Sequence, residues 1–322
     1  MADEITIEAR GLTRRFRELV AVNELSFSVA MGEIFGLVGP DGAGKTTVMR
    51  MLAGVLTPSA GSALVAGFDV TRSPEEVKNR ISYMPQRFGL YEDLTVDENI
   101  RFYADLFGID AATREAHAAR LLRASGMEQF RGRLAGNLSG GMKKKLGLSC
   151  ALIHHPRVII LDEPTTGVDP VSRRDFWRIL YALLAEGVTI LISTAYLDEA
   201  ERCHRLALLH QGNLLFCGTP AKLKAQLPGA VVSVGTPDPR ALQFELEHAP
   251  GVSSAVPMGA QVHLVVDDAA RRIPELESRL KAARLPFETV SQVAPTIEDV
   301  FVAAIQASRA EQSPAAAERA SK

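Results

Sequence analysis

The stretch IFGLVGPDGAGKTT, residues 34–47, decides the fold of this chain. Its apolar beginning predicts a buried strand over residues 34–38, and a helical pattern follows over residues 47–52. Between them lies the spacing of a phosphate-binding loop, whose glycines let the backbone curl so that successive N–H groups face phosphate oxygens. We therefore expect a nucleotide to bind at Gly39, Pro40, Asp41, Gly42, Ala43, Gly44, Lys45, Thr46 and Thr47.

Two of these side chains have predicted tasks of their own. Lys45 should contact the β and γ phosphates, and the Thr46 hydroxyl should hold Mg²⁺. The positive end of the helix that follows adds its dipole to the attraction for the same anion. ATP and Mg²⁺ are thus the expected ligands.

A second apolar strand, residues 158–161, ends in the adjacent acids Asp162 and Glu163. Buried like charges repel, so such a pair requires a cation or two separate tasks. We expect Asp162 to coordinate Mg²⁺ and Glu163 to act as the general base that polarises the attacking water. The alternative is a strand end that carries two solvated acids.

The order of the predicted elements indicates an α/β domain with a mostly parallel sheet. Strands are predicted at residues 34–38, 158–161 and 188–192, with helical patterns between them. The ATPase domain is predicted over residues 4–225. It should contain a helical insert over about residues 90–153, with helices at 97–107 and 113–125.

The C-terminal part follows another pattern, beginning near residue 228. The order strand, helix, strand, strand, helix, strand over residues 228–305 predicts a small α+β domain of the ferredoxin-like type, closed by a helix at 297–305. The tail at 308–322 has too little apolar surface to order itself and is predicted to be disordered.

Charge and composition limit the partners and the location that the sequence predicts. The net charge of −2, from 36 basic and 38 acidic residues, supplies no broad positive field, so a nucleic-acid partner is not expected. No secretory signal opens the chain, and its apolar runs are shorter than the roughly 20 residues of a spanning helix. We expect residence in the cytosol, and other chains for any membrane role. The spacing of Cys150, Cys203 and Cys217 fits neither a metal site nor disulfides, which predicts buried or half-buried thiols.

Residues 138–142, Leu-Ser-Gly-Gly-Met, lie between the two phosphate-site motifs and resemble the signature motif of the ATP-binding cassette (ABC) superfamily. The resemblance implies that Ser139, Gly140 and Gly141 act on the γ phosphate bound by the opposite subunit. It implies an antiparallel β part near the N-terminus, a second ABC ATPase subunit in a homo- or heterodimer, and separate transmembrane permease subunits.

Other positions are similar to the same family. Gln86 lies in a segment resembling the Q-loop, which implies contacts with Mg²⁺ and the attacking water. Asp169 lies in a segment resembling the D-loop of the dimer interface, and Phe16 stands where the family places an aromatic ring against adenine. A plain buried phenylalanine is the alternative for Phe16. Residues 88–91 could face a permease or pack in the core of the helical insert.

Two positions depart from the family. Asp41 stands where asparagine is commoner, and a carboxylate there should slightly disfavour the phosphates. Ala195 stands in the switch segment where a histidine is expected, which removes a donor whose loss costs on the order of 10²-fold in rate elsewhere. His204 and His210 follow the segment and are expected to be structural or exposed.

Residues 295–301, Pro-Thr-Ile-Glu-Asp-Val-Phe, are similar to the closing motif of drug-exporter ATPases of the daunorubicin-resistance type. This resemblance implies an ATP-hydrolysing subunit that energises an exporter of drugs or small molecules from the inner face of the cell membrane. The intact Glu163 favours this function. Ala195 favours the alternative, a catalytically weakened nucleotide-binding subunit that regulates an asymmetric dimer.

Overall fold

The computed structural model describes residues 4–311 of the 322. The chain divides into two units, and the boundary along the sequence lies between Gly218 and Thr219. The strands of the first unit are β1 (Ile5–Phe16), β2 (Leu19–Ala30), β3 (Ile34–Val38), β4 (Ala60–Val65), β5 (Phe68–Asp69), β6 (Ile81–Met84), β7 (Val158–Asp162), β8 (Thr189–Thr194), β9 (Arg205–His210) and β10 (Asn213–Gly218). Its helices are α1 (Lys45–Leu52), α2 (Pro74–Arg80), α3 (Val96–Leu106), α4 (Ala111–Ala124), α5 (Gly140–Leu152), α6 (Pro170–Ala185) and α7 (Leu197–Ala200), with 3₁₀ turns at Glu128–Phe130 and Ala135–Asn137.

The main sheet of the first unit has the strand order β10-β9-β3-β8-β7-β6. All neighbouring strands are parallel except β10, which pairs antiparallel with β9. Strands β3, β7 and β8 are buried throughout, which explains the apolar runs at their centres. The predicted α/β fold is confirmed, and the carboxyl ends of these three strands meet at one edge of the sheet.

A second sheet of this unit, β2-β1-β4-β5, is antiparallel, as the family resemblance implied. Its inward side chains share one apolar core with the main sheet and α1. That core includes Ile7, Leu12, Phe35, Leu37 and Val48, all of them fully buried.

Helices α3, α4 and α5 form the predicted insert around a core that also includes Trp177. Helices α3 and α4 begin one and two residues before the predicted starts, because Thr95 and Asp110 cap them. Phe88 and Leu90 pack against this core, which favours core packing for them, whereas Tyr91 is 47% exposed.

The second unit contains α8 (Pro220–Lys224), β11 (Ala230–Gly235), α9 (Pro239–Leu246), β12 (Val252–Met258), β13 (Gln261–Val266), α10 (Ala269–Ala282), β14 (Val290–Val293) and α11 (Ile297–Glu311). Its sheet is antiparallel with the order β12-β13-β11-β14, which agrees with the predicted ferredoxin-like pattern. Helix α8, expected at the end of the first domain, groups with this unit because it contacts α11.

Helix α11 continues six residues past its predicted end and into the first residues of the predicted tail. Thr296 and Asp299 bond reciprocally at its start, and the sequence of residues 306–311 contains neither glycine nor proline to end it. The rest of the predicted tail, residues 312–322, lies outside the described residues.

Three further observations concern the sequence predictions. Across residues 4–311, no helix combines the length and apolarity needed to cross a membrane. Cys150 and Cys203 are buried as predicted. The prediction was wrong for Cys217, which is exposed because it lies on β10, the edge strand of the main sheet.

Candidate functional site

The loop between β3 and α1 curls tightly because its glycines adopt conformations that other residues avoid. Gly42 and Gly44 have φ angles of +79° and +100°. A Cβ atom on Gly44 would lie 2.5 Å from the carbonyl oxygen of Ala21, so this loop also passes too close to β2 for a side chain. Helix α1 begins at Lys45 with no side-chain cap, as expected for a helix start whose N–H groups serve a ligand.

The Lys45 side chain folds back over this loop and is buried. Its Nζ donates to the carbonyl oxygens of Gly39 at 2.8 Å and Pro40 at 3.0 Å. The same atom lies 3.0 Å from Glu163 Oε1. One cation therefore joins the loop to the acidic end of β7.

Both acids at the end of β7 are buried, at 1% exposure for Asp162 and 8% for Glu163, so the alternative of two solvated acids is wrong. Asp162 Oδ1 accepts from Thr46 Oγ1 at 3.1 Å and from Ser193 Oγ at 2.8 Å. Glu163 has a φ of +47°, and its N–H donates to Ser193 Oγ at 2.9 Å. Ser193 thus fixes both acids from the neighbouring strand β8.

Polar side chains from β6 and from the segments that follow β6 and β7 reach the same acids. Gln86 Nε2 donates to Glu163 Oε2 at 3.0 Å, and Thr166 Oγ1 donates to that oxygen at 3.3 Å. The Tyr83 hydroxyl lies 3.5 Å from Asp162 Oδ2, and burial, together with that carboxylate, raises the pKa of Tyr83. Lys144 Nζ donates to the Gln86 carbonyl oxygen at 2.7 Å.

Among these groups, Lys45, Gln86, Glu163 and Thr166 border a cavity of about 990 Å³, near the upper end of the usual range for ligand sites. The predicted site residues that line it are Phe16, Asp41, Gly42, Gly44, Lys45, Thr46, Thr47, Gln86, Glu163 and Ala195. Gly39, Pro40, Ala43 and Asp162 are not among the lining residues, although Gly39, Pro40 and Asp162 bond to lining side chains.

Phe16 is not buried, so the alternative of a plain core phenylalanine is wrong. The residue is 41% exposed and borders the cavity. The guanidinium carbon of Arg14 lies 4.6 Å from the ring centroid, a cation–π distance. Arg14 is held there because it donates to the Thr57 carbonyl oxygen at 2.8 Å.

The switch segment places Ala195 at the cavity, exposed, with no polar side-chain atom to offer. Its neighbour Tyr196 also borders the cavity and has the Arg173 guanidinium 4.5 Å from its ring centroid. Neither His204 nor His210 borders the cavity. His204 Nδ1 instead accepts the backbone N–H of Ile34 at 3.1 Å, a structural role.

The signature residues lie elsewhere in this chain and do not border its own cavity. Ser139 caps α5, with its Oγ accepting from Met142 N at 3.3 Å. Asp169 caps α6 by accepting from Val171 N at 3.0 Å and Ser172 N at 2.9 Å, and these bonds, that of Ser172 first, lower the pKa of Asp169. A Cβ atom on Gly141 would lie 2.6 Å from Ser172 Oγ, so α5 and α6 begin in close contact.

Sequence reasoning missed several residues of this arrangement: Tyr83, Lys144, Thr166, Ser193 and Tyr196. Ser193 could have been found from the parallel pairing, because it lies opposite Asp162 where β7 and β8 end. The sequence gives no comparable signal for Lys144, whose partner is a backbone carbonyl 58 residues away.

The residues present fit Mg²⁺. The Thr46 hydroxyl and an Asp162 carboxylate oxygen lie 3.1 Å apart, and both are hard oxygen ligands. Among the described residues no group of three or more His, Cys, Asp or Glu side chains forms a closed metal cage. An Mg²⁺ ion here would complete its coordination with substrate phosphate and water oxygens, as is usual in nucleotide sites.

Two protein-family models match parts of the chain. The description "ABC transporter" matches residues 22–166, which contain the loop, the signature segment and the acids of β7. The family described as "ATP-binding protein DrrA1-3-like, C-terminal domain" matches residues 218–305, which begin at the last residue of the first unit and otherwise lie in the second.

Individual relatives agree with these matches. The chain is 42% identical over 317 residues to the probable multidrug ABC transporter ATP-binding protein YbhF of Escherichia coli, covering 97% of this chain but only 54% of that protein. It is 40% identical over 301 residues to the Nod factor export ATP-binding protein I of Paraburkholderia xenovorans, and the match covers 93% of this chain and 96% of that protein. A solved structure of the ATP-binding subunit of an ABC transporter matches with a TM-score of 0.63 and 31% identity. The match covers 69% of this chain and 92% of the chain in that structure.

Proposed function

Because the chain belongs to the family of ABC transporter ATP-binding subunits, we propose that it binds and hydrolyses ATP to energise an exporter of drugs or small molecules. One observation carries the proposal. Lys45, Thr46, Gln86 and Glu163 border one cavity, and the buried Asp162 bonds to Thr46 from behind it. The names of the relatives, multidrug transport and Nod factor export, support the direction and the class of cargo.

Binding of the triphosphate rests on the loop and on Lys45. Lys45 Nζ is already held by two loop carbonyls at the cavity edge, so little rotamer entropy is lost when it contacts the β and γ phosphates. The Phe16 ring stacks on the adenine with the face that Arg14 leaves free. Thr46 and Asp162 hold Mg²⁺, which neutralises charge on the phosphate oxygens when bound.

Glu163 acts as the general base. Its carboxylate accepts a proton from the attacking water as the water oxygen bonds to the γ phosphorus, and the bond from that phosphorus to the β–γ bridging oxygen breaks to give ADP and phosphate. The bond from Gln86 Nε2 and the N–H bond to Ser193 orient this carboxylate. The positive φ of Glu163 is backbone strain of the kind that concentrates at functional sites.

A second subunit completes the site. Ser139, Gly140 and Gly141 form an anion-binding helix start that does not border the chain's own cavity, so they are available to the γ phosphate of another subunit. Asp169 lies beside this helix start, through Ser172, and belongs to the same dimer interface. The proposed assembly is two such subunits with separate permease subunits, on the cytoplasmic face of the membrane.

Ala195 makes the site slow. The methyl group offers no donor where the family uses a histidine, so one electrostatic stabiliser of the transition state is missing. Glu163 and Gln86 remain in place, and hydrolysis therefore continues at a reduced rate.

The test of this function is purification of the full chain with its partners from detergent-solubilised membranes of its own host. We expect permease subunits to co-purify, and reconstituted vesicles to move a drug-like cargo only with Mg-ATP. A complex without membrane-spanning chains, or cargo movement that ignores ATP, would contradict the proposal.

A further inference from the structure

Three consecutive lysines in the first turns of α5 form ion pairs or a hydrogen bond with three neighbouring segments. Lys143 Nζ lies 2.6 Å from Glu92 Oε1, and Lys145 Nζ lies 2.9 Å from Asp175 Oδ2 on α6. Lys144 differs from both, because it donates to a backbone carbonyl, that of Gln86, at 2.7 Å. Only this one of the three reaches the segment that contacts Glu163.

A short chain of contacts therefore connects the start of α5 to the general base. Lys144 holds the Gln86 carbonyl, and the Gln86 side chain donates to Glu163 Oε2 at 3.0 Å. Within residues 4–311, the Gln86 backbone forms no other hydrogen bond. The Gln86 backbone thus depends on Lys144 for its attachment to α5.

The packing around Lys144 brings α5 close to this segment. Gly147 lies one turn further along the same face of α5, and a Cβ atom there would lie 3.1 Å from Phe88 Cδ1 and 3.3 Å from Met84 Cε. Glycine at this position permits close approach of the helix. Lys144 can then reach a carbonyl oxygen that a more distant helix would leave to water.

We propose that Lys144 is a positioning residue, which fixes the Gln86 segment to the signature helix so that the Gln86 amide stays on Glu163. The inference rests on the proposed function, since Glu163 is the base there. Ser139 caps the same helix. Lys144 therefore also connects the nucleotide site of this chain to the signature motif that would contact the nucleotide of a second subunit. A shift of α5 on dimer closure would move Gln86 with it.

The first experiment measures this attachment directly, by amide hydrogen exchange of the full chain without nucleotide. Lys144→Met should speed exchange in peptides covering residues 85–91 about tenfold, because the segment loses its bond to α5. Lys143→Met removes the same charge from the next position and should leave those peptides unchanged. Equal exchange in Lys144→Met and wild type, or an equal rise in Lys143→Met, would overturn the proposal.

The second experiment separates positioning from binding by steady-state hydrolysis in the complex purified with its partners. Lys144→Met should lower kcat about tenfold while KM for ATP stays within about twofold, since the lysine acts on the base and not on the phosphates. Lys144→Arg keeps a donor for the carbonyl and should recover to within about threefold of the wild-type kcat. A raised KM with unchanged kcat would overturn the inference, whereas wild-type protein without affinity for ATP would instead overturn the proposed function.

Discussion

Lys45 Nζ lies 3.0 Å from Glu163 Oε1, and the two side chains are only 3% and 9% exposed. The proposed phosphate ligand and the proposed base are thus an ion pair. Both residues border the same cavity, and ATP bound there would give Lys45 a second anionic partner, the terminal phosphate. If Lys45 moved to that phosphate, the Glu163 carboxylate would be free to accept a proton.

Glu163→Gln should abolish hydrolysis but preserve ATP binding. The amide cannot accept the proton of the attacking water, which should lower phosphate release by at least about 10²-fold. Affinity should be equal or higher, because a negative charge near the phosphates is removed. The assembled complex is assayed for phosphate release and ATP affinity, with Glu186→Gln, at an exposed carboxylate paired to Arg120, as the control. Unchanged phosphate release would exclude Glu163 as the base.

Ala195→His should raise turnover. An imidazole at this exposed cavity position supplies the donor that the methyl group lacks, and the increase should be about tenfold or more. Ala195→Leu adds bulk without a donor and serves as the control in the same hydrolysis assay. If the histidine variant hydrolyses ATP at or below the wild-type rate, Ala195 does not limit the site.

The signature glycines give a matched pair for stability. Gly141→Ala should destabilise the first unit by about 1–3 kcal/mol, because the new methyl group meets Ser172 Oγ at 2.6 Å. Gly140→Ala meets no atom within 4 Å and replaces a helical glycine, so it should be neutral or stabilising by up to about 1 kcal/mol. Urea unfolding followed by the fluorescence of Trp177 measures both. The same free energy for both variants would contradict the close contact of α5 with α6.

These positions also show which features of the fold and of the site can be predicted from the sequence. The phosphate loop, the two acids and the flanking strands are local patterns, so β3 was predicted with its correct bounds. The contacts of Gly141 with Ser172 and of Lys144 with Gln86 depend on how helices pack, which no local pattern encodes. Asp169 was predicted from resemblance alone to serve an interface. Its capping of α6 could have been read from Asp169-Pro170, a cap residue followed by proline at the first helical position.

Acid should weaken the second unit through Asp299. Burial opposes ionisation of this carboxyl group, but bonds with His263 and with the Thr296 backbone outweigh it and hold the pKa of Asp299 below its ordinary value. A lowered folded-state pKa stabilises the protein above the unfolded pKa of about 3.9, and that stability is lost as pH falls through the folded value.

The variant Asp299→Asn tests this effect by urea unfolding of the full chain at several pH values, followed by circular dichroism. It should be less stable than wild type near pH 7 and lose less stability between about pH 5 and pH 2. Glu288→Gln, at an exposed carboxylate, is the control. Parallel stability curves for wild type and Asp299→Asn would refute the role of Asp299.

The most direct measurement of the central claim is calorimetric titration of the purified full chain with Mg-ATP. Wild type should bind ATP, and Lys45→Ala should bind about 10- to 100-fold more weakly, because a charge-assisted bond to the phosphates is lost. Lys78→Ala, at an exposed lysine paired with Glu75 on α2, should bind as wild type does. A folded wild-type chain that shows no heat of binding, or a Lys45→Ala variant that binds equally well, would contradict the account.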